Sequence, residues 1–246
     1  MVRLFLALLL AAAVAPAARA ETPLTRGDVE TIVRDYLLAN PEVLEEAFTA
    51  LQAKRQTEAD AARAGALADN RDRLISSPLS AVIGNPDGDV TLVEFFDYNC
   101  TYCRHALDDL EKLIAGDPKL RVVLKEFPVL GQGSMEAAAV SIVVHEIAPE
   151  TYDDFHRALM ALDAHADEAA ALEIAGRLGL PVDDIRERMR SERVKATVRE
   201  NYDLAQSLGL TGTPSYVVGD KVEFGAVGYE TLVARVNEAR CGTETC

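Results

Sequence analysis

Cys100 and Cys103 are separated by Thr101-Tyr102 and stand between the apolar run Val90 to Phe96 and the helical stretch Arg104 to Ala115. Two sulfurs at that spacing can exchange disulfides, close a small loop or bind a soft metal ion. Position separates these chemistries. A strand that runs into a helix whose first turn carries both cysteines puts the Cys100 sulfur at the positive end of the helix dipole, beside unpaired backbone N–H groups. Thiolate is favoured there, which makes Cys100 a nucleophile near neutral pH and a good leaving group. A structural zinc site usually needs four ligands, and the chain has no second C-x-x-C. A purely structural disulfide over a two-residue loop constrains the unfolded chain little. Exchange chemistry is therefore the expectation for this pair.

A second pair, Cys241 and Cys246, closes the chain. Two cysteines this near in sequence most simply form a local disulfide after the last helix. A copper(I) site or a shuttle pair exchanging with Cys100 and Cys103 is the alternative, since thiolates suit that ion. The four histidines, His105, His145, His156 and His165, read as ordinary structural or surface residues.

The elements that must position these cysteines can be read on either side of them. Leu79 to Ile83 and Val90 to Phe96 are strands about an Asn85-Pro86-Asp87-Gly88-Asp89 turn, and Leu120 to Phe127 is the next strand, completing a β-α-β unit. Pro214 to Val218 and Lys221 to Phe224 form two strands about Gly219-Asp220, followed by a closing helix from Tyr229 to Ala239. Between these halves, helical periodicity runs through Met135–Ile147, Thr151–Leu162, Glu168–Leu178, Val182–Arg190 and Val194–Leu208. The order implies an α/β, thioredoxin-like sheet split by an inserted helical subdomain at about residues 134–208.

Ahead of that domain, residues 21–78 read as helices. Thr25 or Asp28 caps a segment with Val29, Ile32, Val33, Tyr36 and Leu37 on one face, and Asn40 caps a second with Val43, Leu44, Ala47, Phe48 and Leu51. Gln52 to Arg73 reads as a polar helical connector. Two short amphipathic helices cannot bury their apolar faces alone; they either dock on the main domain or pair with copies of themselves.

Residues 1–20 combine a basic start, an apolar core from Leu4 to Val14 and small residues at Ala18-Arg19-Ala20, the pattern of a secretory signal peptide cleaved after Ala20. No later run is long and apolar enough to span a bilayer, so export without membrane embedding is expected, into a compartment where disulfides persist. The 246 residues carry 49% hydrophobic and 26% charged residues, ordinary for a globular protein, and a net charge of −15 that disfavours nucleic acid and anionic lipid as partners.

Glu94-Phe95-Phe96-Asp97-Tyr98-Asn99-Cys100-Thr101-Tyr102-Cys103, Lys125-Glu126-Phe127-Pro128-Val129-Leu130-Gly131 and Gly212-Thr213-Pro214-Ser215-Tyr216 together resemble the three motifs of the DsbA-like thiol:disulfide oxidoreductases, and more narrowly the Com1/ScsC branch. The resemblance spans about residues 79–240, and Arg34 to Leu44 is similar to the N-terminal oligomerisation segment of ScsC-type members. It implies a periplasmic enzyme acting on exported, cysteine-containing proteins with a membrane redox partner. It implies no metal or organic cofactor, the redox-active pair Cys100–Cys103 carrying the electrons.

By the same resemblance Cys100 is the attacking cysteine, Cys103 the resolving one, and Pro214 the cis-proline that sets the Thr213 backbone beside them to bind an extended substrate. Glu94 matches a buried acid that moves the proton of the resolving thiol, with burial raising its pKa; the competing reading leaves it on a solvent face or paired with Lys125. Thr101-Tyr102 stands where the strong oxidase of the superfamily has a histidine, which implies a weaker oxidant. Threonine before Pro214 and the N-terminal helices favour an oligomeric isomerase or reductase. A DsbA-type dithiol oxidase is the rival, and a copper-tolerance protein binding copper(I) through the same cysteines is the alternative from another class.

Overall fold

Strand β2, Val90–Phe96, is rich in β-branched and aromatic residues and is buried on both faces, as its nearly unbroken apolar run requires. The computed structural model describes residues 23–246; the signal-peptide reading, with its cleavage after Ala20, falls outside the described residues. Strand β2 lies at the middle of a five-stranded sheet of order β1-β3-β2-β4-β5, with β1 at Ala81–Gly84, β3 at Leu120–Glu126, β4 at Ser215–Val218 and β5 at Lys221–Phe224. The β2–β3 pair is parallel and joined by helix α4, Thr101–Gly116; the other pairs are antiparallel. This is the expected α/β, thioredoxin-like sheet.

Alternation along the strands assigns each residue to a face. Leu92, Phe96, Val122, Leu124, Tyr216 and Val218 face a core shared with α4 and the closing helix α10, Tyr229–Cys241. Val93, Phe95, Val123 and Val217 face a second core on the other side. Glu94 stands opposite Leu124 and Tyr216, whereas Lys125 stands opposite Phe95. Glu94 and Lys125 therefore point to different faces, and the pairing of the two considered from sequence does not occur. Lys125, fully buried, donates to the Arg73 carbonyl at 2.7 Å and faces Glu200 at 3.4 Å.

The inserted helices are α5 (Gln132–Ile147), α6 (Tyr152–Met160), α7 (Glu168–Arg177), α8 (Val182–Arg188) and α9 (Glu192–Leu208). They do not form one block. Helices α5 to α8 build on the α4 side, with Val140, Val143, Phe155, Leu159 and Ile174 buried there, while α9 crosses to the opposite face through Leu204 and Leu208.

The chain divides after Gln56, inside helix α2, Glu42–Asp69. In the first unit Thr25 and Asp28 form a reciprocal capping box that opens helix α1, Arg26–Ala39. Asn40 closes α1 by donating to the Tyr36 carbonyl, and its own carbonyl accepts the Val43 N–H at 3.2 Å at the start of α2. Val29, Ile32, Val33, Tyr36, Leu44, Phe48 and Leu51 are exposed. In the second unit, the last turns of α2 and the short α3, Arg71–Ile75, bury Leu67 and Leu74 in the second core. The thin apolar pattern of Gln52 to Arg73 reads as a polar connector; Leu67 within it and Leu74 just after it make its end part of the domain.

Candidate active site

Strand β2 ends at Phe96, and a four-residue turn, Asp97 to Cys100, delivers the chain to α4. Cys100 is the N-cap of that helix, with its N–H donating to the Asp97 carbonyl at 3.0 Å. Its thiol donates to the Thr213 carbonyl oxygen at 3.1 Å, and the Thr213–Pro214 peptide bond is cis. Cys100 and Cys103, the latter 1% exposed, are both unbonded thiols. The neighbouring Cys103 thiol is the largest influence lowering the Cys100 pKa, from 9.0 to about 5; the Thr213 side chain and the N–H groups of Cys103 and Tyr102 add to it against the cost of burial. The Cys103 pKa is pushed far up, first by burial, then by Cys100 and by the Glu94 charge. Two thiols one turn apart thus have opposite tendencies: Cys100 holds charge and Cys103 holds its proton.

Glu94 is 4% exposed, and burial raises its pKa from 4.5 to about 8. Tyr216, its partner across β2 and β4, pulls in the other direction. Burial also keeps the Tyr216 hydroxyl protonated. Sequence reasoning reached Glu94 through its place in the motif and passed over Tyr216, which reads as one more aromatic strand residue until the strand register is known.

Asp97 is the other residue missed. Its buried carboxylate accepts the N–H groups of Asn99, Val129 and Leu130 at 2.8, 2.8 and 3.0 Å, joining the cysteine turn to the loop after β3. The signal was present, since an aspartate two residues before an asparagine is a turn-former. Thr101 and Tyr102 lie exposed in the first turn of α4, Tyr102 at 67%. Among the histidines, His105 and His165 are exposed and His156 is buried against Tyr98, whose hydroxyl also meets Ser141 at 2.7 Å. Burial lowers the His156 pKa to about 4, so it is neutral. Cys241 and Cys246 are bonded to each other in an exposed tail. Among the described residues no three His, Cys, Asp or Glu side chains gather as a metal site.

Residues 91–237 match the DSBA-like thioredoxin domain. The chain belongs to the DsbA-like thioredoxin family. Within the family, residues 26–58 match the copper resistance protein ScsC N-terminal domain. A thioredoxin-like oxidoreductase from Silicibacter pomeroyi is 42% identical, with a TM-score of 0.67 over 70% of this chain and 98% of that one. A linker-deletion mutant of Proteus mirabilis ScsC is 30% identical, with a TM-score of 0.68 over 91% of this chain and all of the other. Disulfide bond formation protein D of Bacillus subtilis is 29% identical over 61% of this chain and 72% of its own. The chain also matches Na(+)/H(+) antiporters of Salinispora, 27% and 26% identical over 66% and 64% of this chain, and spans about a quarter of their length.

Proposed function

We propose that this chain is a thiol:disulfide oxidoreductase that exchanges disulfides with cysteine-containing proteins through Cys100 and Cys103. The observation that carries the reading is the Cys100 sulfur, depressed to about 5 in pKa at the start of α4 and set 3.1 Å from the carbonyl before cis Pro214. In the reducing direction the Cys100 thiolate attacks one sulfur of a substrate disulfide; the S–S bond breaks, a mixed disulfide forms and the second substrate sulfur leaves as thiolate and takes up a proton. Cys103 then gives its proton to ionised Glu94 and attacks Cys100 Sγ, which releases the first substrate sulfur and leaves Cys100 and Cys103 oxidised. Two electrons pass from the pair to the substrate. The oxidising direction is the reverse, with protonated Glu94 returning the proton to Cys103.

In isomerisation a second substrate thiolate resolves the mixed disulfide, and the pair ends as it began. An oligomeric isomerase or reductase is the favoured use, supported by the ScsC-type N-terminal match and by the exposed apolar residues of α1 and the start of α2. Several sites in one assembly would then face a misfolded substrate, with a membrane redox partner keeping Cys100 reduced. Residues 1–20 would direct export to the periplasm. The depressed Cys100 pKa favours a second reading, a dithiol oxidase, because stabilising the reduced form makes the disulfide a stronger oxidant.

Refolding of scrambled ribonuclease, with insulin reduction alongside, tests the chemistry. Activity lost in Cys100→Ser is expected; equal activity in that variant overturns the reading. Acid-quenched alkylation in cells carrying Cys241→Ser and Cys246→Ser decides direction. A mostly reduced Cys100–Cys103 pair supports the isomerase or reductase, and a mostly oxidised pair the oxidase.

A further inference from the structure

Asn99, the residue before Cys100, has no part in the exchange steps, yet its carboxamide spans separate segments of the domain. Nδ2 donates to Ser134 Oγ at 3.1 Å and to the Ala166 carbonyl at 2.8 Å, and Oδ1 accepts the Ala166 N–H at 2.8 Å. Ala166 is therefore satisfied in both directions by one side chain, in the way a neighbouring strand would satisfy it. Ala166 and Ser134 are 0% and 1% exposed, so neither has water to replace Asn99.

The same piece of the insertion is held from the other side of the cysteines. Arg104 Nε donates to the Tyr98 carbonyl at 2.8 Å and its Nη2 to the Ala164 carbonyl at 3.0 Å. Gly133, in the first turn of α5, lies so near this segment that a Cβ there would collide with the His165 ring and crowd the Ala166 carbonyl. The fit is chemically narrow. Aspartate lacks the two donors, glutamine is one methylene too long, and alanine strands three buried polar groups.

We propose that Asn99 is a positioning residue for Cys100: by pairing with Ala166 and Ser134 it fixes the cysteine turn to the helical insertion and so sets where the Cys100 sulfur stands against the first N–H groups of α4. The proposal rests on the exchange reading above. A thiolate held by charge-assisted hydrogen bonds is sensitive to small displacements of those donors. Loss of the clamp frees the turn that carries Cys100 while leaving the donors on α4.

The test is a pH titration of the Cys100 thiolate by its ultraviolet absorbance, with the rate of iodoacetamide alkylation alongside, in the full mature chain. Asn99→Ala and the milder Asn99→Ser are expected to raise the midpoint by about one pH unit, with an about tenfold loss of thiolate below it. Arg157→Ala is the control: it breaks pairs with Asp153 and with Glu111, eight residues after Cys103 on α4, and should lower the melting temperature without moving the midpoint. An unchanged midpoint in the Asn99 variants overturns the proposal, as does an equal shift in Arg157→Ala. Should neither Asn99 variant fold, Ser134→Ala removes one of the three bonds and must shift the midpoint upward by a smaller amount; no shift overturns the proposal. The titration needs no protein substrate, so failure of the wild-type chain to reduce insulin would count against the exchange reading alone, and the midpoints would still decide the role of Asn99.

Discussion

Tyr216 stands directly across the β2–β4 pair from Glu94, and both are buried beneath the cysteines. The hydroxyl favours the Glu94 carboxylate, yet among the described residues it makes no full hydrogen bond. Tyr216→Phe should therefore raise the Glu94 pKa above about 8 while changing stability by no more than about 0.5 kcal/mol, because no formed bond is lost. The pH dependence of mixed-disulfide resolution reports the first effect and denaturant melts the second. A pH profile identical to wild type would show that the hydroxyl does not act on Glu94.

Under the exchange reading, Glu94→Gln removes the proton acceptor of Cys103 and leaves the volume unchanged. Resolution by Cys103 should slow by about a hundredfold, the usual size of a positioned general base, with attack by Cys100 on the substrate nearly unaffected. Rapid quench with acid should then trap the mixed disulfide in quantity. The variant also changes stability with a defined sign. Folded Glu94 holds its proton up to about pH 8 and unfolded glutamate only to its ordinary 4.5. The folded state thus binds more protons between these values, and stability falls as pH rises through the window. Glu94→Gln should remove that part of the fall, read from melting curves at either end of the range.

Cys100 has the opposite dependence. Its folded pKa of about 5 lies below the ordinary 9.0, so the unfolded chain binds more protons between these values and the dithiol form gains stability as pH rises across them. Chemical denaturation of the dithiol protein should show this gain, and Cys100→Ser should abolish it. Thiolate absorbance in the wild type should have its midpoint near 5, and a midpoint at the ordinary thiol value would remove the physical basis for a reactive Cys100.

The cysteine site was legible because its signals are local: a strand, two sulfurs and a helix follow one another without interruption, and strand β2 was read to its observed ends. What escaped depends on which face a residue occupies. Lys125 and Glu94 are both charged residues in apolar strands, and only the parallel register of β2 and β3 shows them turned away from each other. Leu67 and Leu74 escaped for a similar reason. Two leucines in a polar, alanine-rich stretch carry little hydrophobic periodicity, and their burial comes from α9 and the sheet, distant in sequence. Asn99 was visible as a letter of the motif, but its partners lie 35 and 67 residues further along the chain.

The placement of Leu67 also changes how the oligomer reading should be tested. Removing residues 21–73 would take with it the last turns of α2, which bury Leu67 in the second core, and would confuse loss of assembly with loss of folding. Removal of residues 21–56 stops at the division of the chain and deletes the exposed apolar residues of α1 and of the start of α2. Under the oligomer reading, light scattering should give a multiple of the protomer mass for residues 21–246 and a monomer for this truncation. Disulfide isomerase activity should fall by about tenfold or more, since several sites no longer share one substrate, while the Cys100 titration should not move. Ile32→Asp with Phe48→Asp should reproduce the monomer without deleting backbone, because a charge at each position opposes burial of both apolar faces. Wild-type residues 21–246 that already scatter as a monomer would end the oligomer reading and leave the dithiol oxidase as the better account of Cys100.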